Sequence, residues 1–269
     1  MIGGDSMTIL SYVERMAVAD QQARRAALLA ILRELQAPFV VYREEIDDHC
    51  LENIVVRLGQ ATPRLVLGAH YDSVPGSTGA NDNAAGVAIL LSLLRGYRDC
   101  PPGLPCDIVF FDREESGRWG SRAYVRRFAA EQTLAMINLD VCGVGNTLLL
   151  GPRKNSEEWP LQDAIQAILR QLAVPIRIVE QLPPGDEASF EAVGIPNLSL
   201  TVLPGEDIPL LLEAVPAMRQ LRQAARMPAI AETIHNGPRD SIAVIEETAM
   251  QAGLDCVCAL VQALARRGE

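Results

Sequence analysis

The residues between Gly68 and Gly86, GAHYDSVPGSTGANDNAAG, put one of the chain's three histidines beside two aspartates and four glycines, directly after the apolar run Leu65, Val66, Leu67. His70 and Asp72 stand two apart at the end of an expected strand, so both side chains project from one face. That spacing suits a metal-binding imidazole and a carboxylate that takes its second N–H, fixing the tautomer and raising the ligand's basicity. Asp82 follows at the start of an expected helix, where Gly79 and Ala80 let the backbone approach closely. Taken alone, such a pair is equally at home in a polar turn.

Further candidates fall where α/β proteins keep their sites, beyond the carboxyl ends of sheet strands. Glu114 and Glu115 follow the apolar strand DIVFF, Asp140 closes the strand MINLD, and His235 precedes the last helix in TIHNGPRDSI. His70, Asp82, Glu115, Asp140 and His235 thus supply three carboxylates and two imidazoles. Three carboxylates are too many for one tetrahedral catalytic zinc that must also hold a water. Two ions sharing one bridging carboxylate accommodate the set, each ion taking one histidine and one further carboxylate. The donor mix suits two zinc ions, with manganese or cobalt as substitutes. The competing reading of each histidine, a hydrogen-bonded imidazole near the core, does not explain why two of the three lie beside matching carboxylates. His49, in IDDHC, fits no such pattern and is expected in a surface turn.

The elements that must position these residues alternate along the chain. Helical spacing of apolar residues runs through the first 36 positions and stops before Pro38. Strands are expected at Phe39–Tyr42, Ile54–Leu58, Leu65–Leu67, Asp107–Phe111, Met136–Leu139, Thr147–Leu150, Ile176–Val179 and Asn197–Val202, the first two joined by the acidic turn EEIDDH. Helices are expected over Asn83–Tyr97, from about Ser121, over Trp159–Leu172, near Phe190, over about Leu210–Arg226 and over about Ile245–Ala265. This interleaving predicts an α/β three-layer sandwich, a mixed, mostly parallel twisted sheet of about eight strands with helices on both faces. Residues 1–269 are read as a single domain in which the proline-punctuated excursion 203–232 is a candidate lid or pocket wall, or else a surface excursion or subunit contact.

Composition narrows the partners. A formal charge of −10 would repel a nucleic-acid backbone or an anionic membrane surface, and neither is expected as a partner. The start carries no basic region followed by an apolar one, and no unbroken apolar run of membrane-spanning length occurs, so a soluble cytoplasmic protein is expected. The six cysteines are expected to be mostly free thiols, although Cys100 and Cys106 bracket PPGLP and would close a small loop under oxidising conditions.

Five segments in order, GAHYDSVPGSTGANDNAAGVA, FFDREESGRWGSRAYV, MINLDVCG, DEASFEAVGIPNLSL and IHNGPRDSIAVI, resemble the aminopeptidase Y family of two-zinc exopeptidases. The resemblance implies that His70 and Asp140 bind one zinc, Glu115 and His235 the other, and that Asp82 bridges them. It implies Glu114 as general base, Asp72 as the aspartate behind His70, and a peptide with a free amino terminus as substrate, attacked by zinc-activated water. Departures fall on the substrate side. Gly185-Asp186-Glu187 stands where many relatives have Ser-Asp-His, which makes Asp186 and Glu187 candidate substrate-binding residues. Ile234 stands where some relatives have an oxyanion-stabilising tyrosine. Arg118-Trp119 replaces a small apolar pair, and Trp119 is either a wall of the specificity pocket or a packing residue. Two other functions stay open: a glutaminyl cyclase on the same fold, and a silent homologue acting as a binding domain.

Overall fold

A computed structural model describes residues 7–46, 49–128, 133–153, 161–219, 226–235, 237 and 239–266. Its strands are β1 (Phe39–Ile46), β2 (His49–Leu58), β3 (Arg64–His70), β4 (Cys106–Phe111), β5 (Thr133–Leu139), β6 (Thr147–Arg153), β7 (Ile176–Ile178) and β8 (Asn197–Leu203). They form one sheet in the order β1-β2-β4-β3-β5-β8-β6-β7. β3 pairs in parallel with β4 and β5, and β5 with β8; β1, β2 and β6 enter antiparallel, and β7 runs parallel to β6.

The inner strands are apolar on both sides because both sides are covered. Leu65, Leu67 and Ala69 of β3, with Ile108 of β4 and Ile137 of β5, face one layer of helices. That layer holds α1 (Ile9–Met16), α2 (Gln21–Glu34), α3 (Ala85–Tyr97), α5 (Leu161–Gln171) and α8 (Glu247–Ala265). Val66, Val109 and Met136 face the opposite way, towards α4 (Trp119–Arg127) and α6 (Glu187–Glu191). On the same side α7 (Ile208–Arg219) packs Ile208, Leu211 and Val215 against Leu149 and Leu203. The alternation of neighbouring residues between two apolar layers is what a doubly covered sheet demands of its sequence. α3 is buried from Ala85 to Leu94, which accounts for its being apolar all round.

Several elements extend beyond their expected bounds. β1 and β2 run through most of the acidic stretch EEIDDH, of which residues 47 and 48 lie outside the described residues. His49 is therefore not in a surface turn: it opens β2 opposite Ile46, and its ring lies 4.5 Å from that of Trp119. The helix expected to Arg226 is described as α7, with 220–225 outside the described residues, as is the expected helix start at Trp159. Cys106 is buried at the start of β4 and Cys100 is exposed, both as free thiols. α8 is long and apolar enough to cross a membrane by length and composition alone; more than half of it is buried, packed on α3 and α5 as a core helix.

One cation anchors the loop that leaves β3. Arg24 of α2 is fully buried and donates to four carbonyls: Nε to Tyr71 at 2.5 Å, Nη1 to Thr78 at 2.6 Å and to Met16 at 3.0 Å, and Nη2 to Gly79 at 2.8 Å. Gly79 takes a left-handed φ of +55°, and a Cβ there would lie 2.6 Å from Ser73 Cβ and 2.9 Å from the guanidinium, so only glycine fits. Replacing Arg24 by leucine would leave buried acceptors unpaired, each worth about 1–3 kcal/mol. Arg24→Leu is expected to destabilise the metal-free protein by roughly 3 kcal/mol or more, lowering the midpoint of thermal unfolding by about 6–12 °C. A change below about 2 °C by differential scanning calorimetry would contradict the anchoring role.

Candidate metal centre

Three chain segments converge on Asp82. It sits in the wide turn 80–84 between β3 and α3, flanked by asparagines with structural tasks. Asn81 donates its side-chain amide to Thr233 Oγ1 at 2.9 Å and accepts from the Gly143 N–H at 2.7 Å, while its own N–H goes to Asp240 Oδ1 at 2.7 Å. Asn83 donates to the Leu139 carbonyl at 2.8 Å. Asp240 also accepts from Ser77 Oγ at 3.0 Å, and its carbonyl from Thr78 Oγ1 at 2.6 Å. The turn is thereby tied to the end of β5 and to the segment carrying His235.

The five expected ligands come together. Asp82 Oδ1 lies 3.1 Å from His70 Nε2, and Oδ2 lies 3.6 Å from His235 Nδ1 and accepts from the His235 N–H at 3.0 Å. Asp82 therefore turns one oxygen to each imidazole. Asp140 Oδ1 is 3.5 Å from His70 Nε2 on one side, and Glu115 Oε2 is 3.0 Å from His235 Nδ1 on the other. His70 presents its other nitrogen to Asp72, 3.2 Å from the carbonyl and 3.4 Å from Oδ1. Asp72 does more than its spacing foretells. Its two oxygens accept the backbone N–H groups of Glu114 at 2.9 Å and Glu115 at 3.2 Å, so one carboxylate holds both the histidine and the glutamate turn.

Charge is concentrated and poorly hydrated here. Burial raises Glu114 well above the ordinary carboxylate range, with His70 pulling down and Asp186, Asp140 and Asp72 pushing further up. Burial likewise pushes Asp186 up to about 7, against the pull of His70 and of the nearby Ser121 hydroxyl. Asp82 is held at about 2: burial would raise it, but the bond to His70 and the charges of both histidines outweigh that. His70 lies well above its usual value because its contacts with Asp140, Asp72 and Asp82 outweigh burial. The hydrogen bond to Glu115 lifts half-exposed His235 to about 9. Glu115 also rises, since its own burial costs more than His235 returns.

These residues fit a divalent cation. His70, Asp82 and Glu115 offer ligand atoms that all lie within 4.8 Å of one another. Glu115 Oε1 and Asp140 Oδ1 are buried without a hydrogen-bond partner among the described residues, the state expected of carboxylate oxygens reserved for a metal.

Next to the cluster an apolar cleft opens, with Glu114, Asp140 and His235 at its polar end. Leu182, Leu203, Leu211, Met218, Ile230 and Ile234 line it, so the 203–232 excursion contributes wall residues. The three expected substrate-binding residues are not among its lining. Asp186 is fully buried, and its carboxylate makes no hydrogen bond of ordinary geometry among the described residues. Glu187 is buried and occupied, accepting from Asn138 Nδ2 and from the Gly185 N–H, each at 3.0 Å. A Cβ on Gly185 would lie 2.9 Å from Asn138 Nδ2 and 3.1 Å from Asp140 Oδ2, so the departure from Ser-Asp-His packs directly against Asp140. Trp119 lies against His49 and Arg122 instead. Sequence reasoning passed over Arg24, Asn81, Asn83, Asn138, Thr233 and Asp240. Of these, Arg24 alone lies outside every motif quoted above; Asn81, Asn83, Asn138, Thr233 and Asp240 lie within them.

The model of Peptidase family M28 matches residues 53–261. The vacuolar membrane protease of Candida albicans is 37% identical over 101 residues, 36% of this chain and 12% of that protein. The vacuolar membrane protease of Yarrowia lipolytica is 35% identical over 105 residues, 36% of this chain and 11% of that protein. The chain thus spans about an eighth of the length of the curated relatives it matches. Among solved structures, a zinc aminopeptidase from Bacillus subtilis is similar with a TM-score of 0.63 at 22% identity, covering 80% of this chain and 50% of that one. A glutaminyl cyclase from Porphyromonas gingivalis has a TM-score of 0.66 at 22% identity, covering 94% and 96%. Both likenesses bear on the fold. The relatives' names point to a membrane or organelle and overturn the expectation of a cytoplasmic protein, which rested on the residues of the sequence alone.

Protonation gives the centre a testable pH dependence. Without a cation, His235 at about 9 and Asp186 at about 7 hold protons near neutrality, and His70 and Glu114 are shifted the same way. Ligating groups must shed protons to bind a metal. Zinc affinity is therefore expected to rise with pH from about 6 to 9, with release of at least one proton. Calorimetric titration in buffers of differing ionisation enthalpy measures this, and a pH-independent affinity without proton release would refute the assignment.

Proposed function

The chain belongs to peptidase family M28, a hydrolase by that membership, and from that premise we propose that it is a zinc-dependent aminopeptidase acting on peptides whose first residue is apolar. One observation carries the reading: Asp82 turns an oxygen to each of two imidazoles that are each backed by a further carboxylate, at the polar end of an apolar cleft. In this reading His70 and Asp140 hold one zinc ion, Glu115 and His235 a second, and Asp82 is shared.

When bound, zinc supplies Lewis acidity, lowering the pKa of water towards about 7 and polarising the scissile carbonyl. The remaining work falls to side chains. Glu114 sits at the cleft with its carboxyl pKa raised by burial, which suits a group that takes a proton from water and returns it to the leaving amine. Asp72 fixes the His70 ring and, through two backbone N–H groups, the direction in which Glu114 and Glu115 project. The cleft wall excludes water and receives the first side chain; with Ile234 lining it, no hydroxyl at that position steadies the oxyanion.

The test is turnover of a panel of aminoacyl amides and a glutaminyl peptide by metal-stripped protein titrated with zinc. Leucyl and methionyl amides are expected to release amine, saturating near two zinc equivalents. Pyroglutamate formation saturating at one equivalent would instead make the protein a glutaminyl cyclase, a reading favoured by the near-complete mutual coverage with that fold neighbour. Glu114→Gln is expected to lower turnover by about 10² or more while zinc content stays unchanged. Activity within a few-fold of the parent would remove Glu114 from the base role.

A further inference from the structure

The residues that replace the small pair in EESGRWGS build a second feature beside the site. Arg118 donates Nη1 to the Pro184 carbonyl at 3.1 Å, and Pro184 itself lines the apolar cleft. The Arg122 guanidinium lies 4.9 Å over the Trp119 ring, which also stacks on His49 at 4.5 Å and is anchored through Nε1 to the Ser116 carbonyl at 3.1 Å. Arg126 follows one turn later. Arg118 caps α4 in left-handed backbone, and Arg122 and Arg126 stand four apart on one side of the helix.

Between these arginines and α6 runs a groove lined by Arg118, Arg122, Val125, Arg126, Ala188 and Ala192, and among the described residues none of its lining side chains is acidic. Such a cationic strip runs against the composition of a chain with a formal charge of −10. Two of the three charges are held in place before any ligand arrives, one by a carbonyl and one by an aromatic face, which reduces the entropy lost on binding. From Arg122 to Arg126 the helix advances about 6 Å, the reach of about two residues of an extended chain, and Arg118 lengthens the strip from the cap. Arg118 joins this groove to the wall of the apolar cleft through Pro184.

We propose that this groove is an exosite for acidic residues lying downstream of the scissile bond, so that the protein trims apolar amino termini preferentially from peptides carrying Asp or Glu a few residues further on. This rests on the aminopeptidase reading for its cleavage half, and its binding half is measurable without turnover. Zinc-loaded Glu114→Gln protein is titrated, by fluorescence anisotropy, into Leu-Ala-Ala-Asp-Glu-Asp and Leu-Ala-Ala-Ser-Gln-Ser, each with a rhodamine at the carboxyl end. The acidic peptide is expected to bind roughly three- to tenfold tighter, with the gap closing as salt is raised. Adding Arg122→Glu and Arg126→Glu should abolish or reverse the preference; Arg122→Gln with Arg126→Gln, a milder pair should the reversal fail to fold, should reduce it. In otherwise unsubstituted enzyme the same pairs should lower kcat/KM for the acidic peptide and leave leucyl-amide turnover unchanged. Equal affinity for the two peptides, or a preference that survives both arginine substitutions, overturns the exosite. Absence of turnover on every substrate would instead sink the aminopeptidase reading while the anisotropy result stands on its own.

Discussion

Six carboxylates, those of Asp72, Asp82, Glu114, Glu115, Asp140 and Asp186, crowd two imidazoles at the carboxyl ends of β3, β4 and β5, where little water reaches them. Their mutual repulsion is the constraint that the rest of the structure answers. Part of the answer is backbone: Asp72 is compensated by two N–H groups, and Asp82 by the N–H of His235. Part is the buried Arg24, whose charge faces Asp72, Asp240, Asp82 and Glu115 while its N–H groups are consumed by carbonyls. What remains is offset by protons or by cations, and this competition couples metal occupancy to pH.

The same economy explains why the site is stiff on one side and open on the other. His70, Asp82 and Asp72 are buried and held by side chains that themselves make several hydrogen bonds. His235, by contrast, is 58% exposed in its side chain and reaches the centre from a segment bound mainly through Thr233 and Asp240. The cleft lies on that more exposed side, so the cluster is reached from solvent without disturbing the buried His70, Asp82 and Asp72.

Much of this was legible in the sequence because strand ends are. An apolar run buried on both faces must stop where polar residues begin, and His70, Glu115 and Asp140 each stand at such a stop. Their convergence follows from parallel pairing of β3 with β4 and β5. Supporting residues were hidden because their signals are generic. An arginine on an amphipathic helix reads as its solvated face, and nothing local to α2 reveals that Arg24 points inward. Asn138, Asn81 and Thr233 act through partners far away in sequence. His49 was misread since β1 and β2 pair almost to their connection, carrying an apparent turn residue into a strand. Trp119, Asp186 and Glu187 were legible as departures, but their departure alone did not say that they pack against Arg122, the buried interior and Asn138.

The ties around Asp82 also impose an order on the appearance of the centre. Every strand among the described residues is complete once β8 ends at Leu203, yet the asparagine beside Asp82 bonds to Thr233 and Asp240, and one imidazole of the cluster is His235. A chain ending at Leu203 would thus hold every described strand yet lack His235, the ties to Thr233 and Asp240, and the core helix α8. In chain order the cluster is therefore completed last, by the segment that carries His235 and leads into α8.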